Sequence, residues 1–111
     1  MESRGSIRAM LIEDDKLRDK KVITADGRQI GEVVGLEIEL DGWQVQWLDV
    51  KLLREVLDGL KVKKPMFGTV TARFAPERVR NVTDNVVLTI DFDQVSALLS
   101  AEGPDGVEKK K

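Results

Sequence analysis

From Ile30 to Leu40 the even positions are apolar with one exception: Ile30, Val34, Leu36, Ile38 and Leu40 alternate with Gly31, Val33, Gly35, Glu37 and Glu39, and Glu32 breaks the rule. Period two over such a run predicts a strand with one face on a core. Lys20–Thr24 reads as a shorter strand before it, joined through Ala25-Asp26-Gly27-Arg28, an Asp-Gly hairpin turn. Asp41-Gly42 supplies a second turn and leads into a third strand, Trp43–Val50. Gly35, mid-strand, marks a bend or bulge. The third strand interrupts its own alternation, with Trp43, Val45 and Trp47 on one face and Leu48 and Val50 on the other. If Trp43 and Val45 point inward, a one-residue bulge near Gln46 and Trp47 keeps Leu48 and Val50 inward too and turns Trp47 outward.

The period changes at Lys51. Leu52, Leu53, Val56, Leu57 and Leu60 recur at helical spacing opposite Lys51, Arg54, Glu55 and Asp58. Gly59 is placed to cap this helix, and Pro65 prevents its continuation. Alternation resumes over Met66–Phe74, stops at Pro76 and returns with Val86, Leu88, Ile90 and Phe92. Asp91 and Gln94, three apart and followed by Val95, Leu98 and Leu99, match the start of a capped short helix. The expected fold is mainly β: a small antiparallel β-barrel of about six strands with one or two short helices. Its expected core is Ile30, Val34, Leu36, Ile38, Val70, Phe74, Val86, Leu88 and Ile90, over residues 16–100. Residues 1–15 are expected to be a flexible N-terminal segment, with Met10 read as a second start after a leader. Residues 101–111, with Gly103, Pro104, Gly106 and three final lysines, are expected to be a flexible tail.

Composition narrows the chemistry. Apolar residues are 41% and charged residues 34%, with a net charge of −2, as expected for a packed core with a charged exterior. The balance gives no general attraction to nucleic acid or anionic lipid, so neither nucleic acid nor membrane insertion is expected. The lysine cluster Lys61, Lys63 and Lys64 reads as a solvated turn. There is no Cys, His or Tyr, which removes the usual thiolate nucleophile, general base and metal ligands. Glu37 and Glu39 are explained as a solvent face, and Glu13-Asp14-Asp15 lacks the spacing of a calcium loop. Gly27, Gly31 and Gly35 precede a strand, where a phosphate loop needs a helix N-terminus. No catalytic residue, cofactor or metal is expected, and the chain is not expected to be an enzyme. The lack of Cys agrees with a cytoplasmic location.

The run Lys21-Val22-Ile23-Thr24-Ala25-Asp26-Gly27-Arg28, with Ile30-Gly31-Glu32-Val33, resembles the opening hairpin of the PRC-barrel family. Trp47 to Leu60, Lys63-Lys64-Pro65-Met66-Phe67-Gly68 and the ending through Asn85-Val86-Val87-Leu88 resemble its short archaeal single-domain branch. Members often carry Gly-Asp before the final Val-Val-Leu, where this chain has Thr83-Asp84-Asn85. The resemblance covers residues 16–99. It implies a small barrel serving as an interaction adaptor, with archaeal cell division and a SepF-type membrane anchor as pathway and partner, and it implies a homodimer. The alternative is an RNA- or ribosome-associated maturation factor related to the RimM barrel domain. Trp47, Leu53 and Val56 are the expected partner-binding residues: Trp47 as an outward indole, the other two on the amphipathic helix, whose stripe serves either as a lid on the barrel or as a dimer interface.

Overall fold

The computed structural model describes residues 14–100 and 106–109. Gly27, at φ +89°, gives the Asp-Gly turn its left-handed step and folds β1 (Lys21–Ile23) against β2 (Gln29–Glu39). Glu39 and Gln44 close a second hairpin onto β3 (Gln44–Leu52). The chain then forms helix α2 (Arg54–Leu60), β4 (Val70–Phe74), a 3₁₀ turn (Pro76–Arg78), β5 (Val79–Val82), β6 (Val86–Leu88), helix α3 (Phe92–Ser100) and β7 (Gly106–Lys109), with a short α1 (Asp14–Leu17) ahead of β1. The strand order is β5-β6-β1-β2-β3-β4-β7. All neighbours are antiparallel except β1 and β6, which run parallel because β6 returns to the edge of β1 after the chain has crossed the molecule. The result is a mainly β, barrel-like sheet that does not close.

Phe74, Ile30, Leu57, Leu60, Leu88, Val22, Val33, Val50 and Val70 are fully buried at its centre. Both larger helices lie on this core, α2 through Val56, Leu57 and Leu60 and α3 through Phe92, Val95 and Leu99. Gly59 sits where they meet: a Cβ there would stand 3.0 Å from Cζ of Phe92. The cap expected at α3 forms as a reciprocal pair. The Gln94 amide donates to Oδ1 of Asp91 at 3.1 Å, and the Asp91 amide donates to Oε1 of Gln94 at 3.0 Å. Asp26 ties the first turn to this helix. Its Oδ1 accepts from the Thr24 hydroxyl and, at 3.1 Å, from the Phe92 amide. The Arg28 guanidinium covers the Phe92 ring at 3.6 Å.

The structure corrects several expectations. Val33, not Val34, enters the core, because Val34 is an extra residue opposite β3, between the pairs Val33–Val50 and Gly35–Asp49. Ile38 is 49% exposed, Val34 is also exposed, and Leu36 and Ile90 are only half-buried. The α2 stripe loses its first member to β3, where Leu52 is buried as a strand residue. The left-handed cap of α2 is Lys61 (φ +61°), not Gly59, whose place is fixed by the Phe92 ring. The strand expected from Met66 begins only at Val70. Arg54 holds the carbonyls of Pro65 and Gly68, and Gly68 has φ +85°, so the intervening segment is a loop. The tail expected at 101–111 contains a strand, β7, paired with β4 from Val70–Lys109 to Arg73–Gly106. Residues 1–13, most of the N-terminal segment, lie outside the described residues.

Candidate functional site

β2 is 11 residues long and β3 is 9, whereas the strands that flank this pair, β1 and β4, have 3 and 5. β1 and its lead-in reach β2 only as far as Val33, where the Asp19 amide donates to the Val33 carbonyl at 2.8 Å and the Val33 amide donates to Lys20 at 2.9 Å. β4 reaches β3 only to the Leu48–Phe74 pair. Beyond these limits Glu37–Glu39 and Gln44–Trp47 pair with each other, so the hairpin projects from the sheet as a two-stranded ribbon. Opposed residues of an antiparallel pair share a face. The face of Leu36 and Leu48 therefore continues outward as Ile38 and Val45, with Leu40 and Trp43 closing the tip.

These apolar side chains have outrun the core. Trp43 is 76% exposed, Leu40 64%, Ile38 49% and Val45 40%. The turn that carries them is held in shape by Glu39, whose two carboxylate oxygens accept from the Asp41 and Gly42 amides at 2.9 Å each. Trp43 takes the left-handed conformation, φ +54°, where glycine or asparagine is the usual occupant. A tryptophan in strained backbone, presented to solvent on a braced turn, is an arrangement that contributes nothing to the core. Residues 35–47 also carry three acids, Glu37, Glu39 and Asp41, and no base.

The opposite face of the ribbon holds Trp47. The extra residue in β3 is Gln46, between the pairs Glu37–Trp47 and Ile38–Val45, so the slip expected near Gln46 and Trp47 occurs and Trp47 turns away from Leu48 and Val50. It is half-buried, with the Arg73 guanidinium 4.8 Å above its ring and Arg73 Nη1 3.7 Å from Oε1 of Glu37. Leu53 and Val56 are not brought together with it. They follow the far end of β3, where Val56 is buried in the core and Leu53 packs partly against it. Among the described residues no three Asp or Glu side chains converge as a metal site.

Alternation alone puts Ile38 in the expected core and Leu40 on the same face, with Trp43 and Val45 inward only under the condition given for the bulge. The signal against that is length: the alternating run from Ile30 to Leu40 is longer than any other strand candidate in the chain. The model of the PRC-barrel domain matches residues 10–95. The chain belongs to the PRC-barrel family. Within this PRC-barrel the match includes the whole β2–β3 hairpin as well as the sheet that carries it. No curated protein matches the sequence.

Proposed function

We propose that this PRC-barrel protein is a non-catalytic cytoplasmic adaptor that holds a partner protein on the projecting β2–β3 hairpin. The observation that carries the reading is the exposed set Ile38, Leu40, Trp43 and Val45 on a braced ribbon. Tryptophan is enriched among residues that dominate binding energy, and a compact apolar centre with a polar rim is the usual anatomy of a docking patch. Trp47, under Arg73 on the opposite face, extends the surface so that a partner can grip the ribbon from both sides. The partner to test first is the SepF-type anchor of archaeal cell division, which the sequence resemblance suggests, and self-pairing is part of the same reading.

Calorimetric titration of the purified anchor against wild-type and Trp43→Asn protein tests it. Asparagine tolerates the left-handed backbone, so the fold is kept while the indole is lost. The expected result is a loss of about 2 kcal/mol or more in binding, roughly thirty-fold in Kd, without a lowered melting temperature. Unchanged affinity would remove Trp43 from the interface.

A further inference from the structure

A second exposed apolar pair, Met66 at 84% and Phe67 at 79%, lies in the loop between α2 and β4. The loop is pinned on both sides of the pair: Arg54 Nη2 donates to the Pro65 carbonyl at 3.1 Å and Nη1 to that of Gly68 at 3.4 Å. Lys61, Lys63 and Lys64 precede it and are exposed, with Lys64 3.6 Å from Asp58. Residues 61–69 thus carry three bases and no acid, while residues 35–47 carry three acids and no base. Each segment combines exposed apolar side chains with charge of one sign, and the signs are opposite, with Glu37 already facing Arg73 and Lys64 already facing Asp58.

The two segments lie at opposite ends of β3. Gln44 adjoins the hairpin tip, whereas Arg54, which pins the loop, follows the last β3 residue, Leu52. The 9 residues of β3, at about 3.3 Å each, put the patches roughly 30 Å apart. They cannot cover each other within one chain.

We propose that the acidic, apolar hairpin of one copy docks on the basic, apolar 61–69 loop of a second copy, joining the chains head to tail. This rests on the reading of the hairpin as a docking surface and names an occupant for it. Opposite charges set the register and speed the encounter, and removal of Trp43, Leu40, Met66 and Phe67 from water supplies cohesion. Because the two patches differ, the contact leaves a free hairpin at one end and a free loop at the other. It therefore repeats, closing into a ring or continuing as a filament.

Two double variants test the geometry by complementation. Leu40→Ser with Trp43→Asn disables the hairpin, and Met66→Ser with Phe67→Ser disables the loop. All four positions are exposed, and circular dichroism verifies that each variant is folded. Sedimentation of the wild type up to about a hundred micromolar, the range of weak association, is expected to give an average mass that grows past two chains at low salt and falls at high salt. Each variant alone is expected to remain a single chain. Their equimolar mixture is expected to form a species of two chains and no larger, because each retains the patch the other lacks. A wild type that stays monomeric overturns the proposal. So does a loop variant that associates like the wild type, which would show hairpin-to-hairpin pairing. Loss of binding to phosphatidylglycerol vesicles in the loop variant, with self-association unchanged, would assign the loop to a lipid surface instead. If self-association is absent but the hairpin variant still loses the anchor protein, the docking role of the hairpin stands and only the head-to-tail contact falls.

Discussion

Trp43 and Gly31 show two different backbone constraints. Trp43 holds a left-handed conformation that an L-residue adopts at a cost of about 1–2 kcal/mol, with its side chain in water, so its presence serves something other than packing. Gly31 is required by close approach: a Cβ there would lie 2.2 Å from the Lys51 carbonyl oxygen and 2.9 Å from Cγ1 of Val50. Gly35 has no such neighbour, its nearest atom being Oδ2 of Asp49 at 4.0 Å. Gly31→Ala is therefore expected to destabilise by about 1–3 kcal/mol, the range for overpacking against a backbone that cannot yield. Gly35→Ala is expected to be near neutral. Urea denaturation of the two variants side by side checks the contrast, and equal midpoints would show that the β2–β3 contact at Lys51 can relax.

At the scale of elements, the junction of the first turn with α3 binds distant parts of the chain. Thr24, only 1% exposed, donates to Asp26, and the same carboxylate oxygen accepts the first amide of α3. The Thr24 hydrogen bond, ahead of the Phe92 amide and the nearby Arg28, holds the Asp26 carboxyl below its ordinary value of 3.8. A carboxyl group with a lowered native pKa stabilises the fold fully above the unfolded value, and the contribution is lost as pH falls through the lowered one. Asp26→Asn is expected to reduce stability at neutral pH and to flatten the decline of stability below about pH 4. Thermal melts of both proteins from neutral to acid pH measure this. Parallel curves for wild type and variant would remove Asp26 from the acid-sensitive set.

On the scale of the whole molecule, one curled sheet and two helices share a single core, in which Leu88 and Phe74 have no exposed surface. Leu88 lies in β6, between β5 and β1, and a charge there has no partner and no route to solvent. Leu88→Asp is expected to abolish the cooperative fold, because the cost of an unpaired buried carboxylate takes up much of the stability of a domain this size. Circular dichroism with a thermal scan decides the outcome, and a native-like transition would show that β6 can be displaced without loss of the core. The open sheet also leaves β5 and β7 as edges, so the projecting hairpin is one of several places where another chain can approach.

The local pattern alone determined the mainly β class, the Asp26-Gly27 turn and the reciprocal cap of Asp91 and Gln94. Each of these depends on residues close together in the chain, where spacing and turn chemistry act directly. Tertiary structure decided which apolar residues become surface. Ile38 and Leu40 have the same alternation as Ile30, which is fully buried, but the neighbouring strands end before reaching them, and burial depends on what lies across the sheet. The parallel pairing of β6 with β1 and the addition of β7 to β4 were likewise settled between segments far apart in sequence. The exposed hairpin, and with it the candidate site, exists because β2 and β3 are longer than the core they help to build.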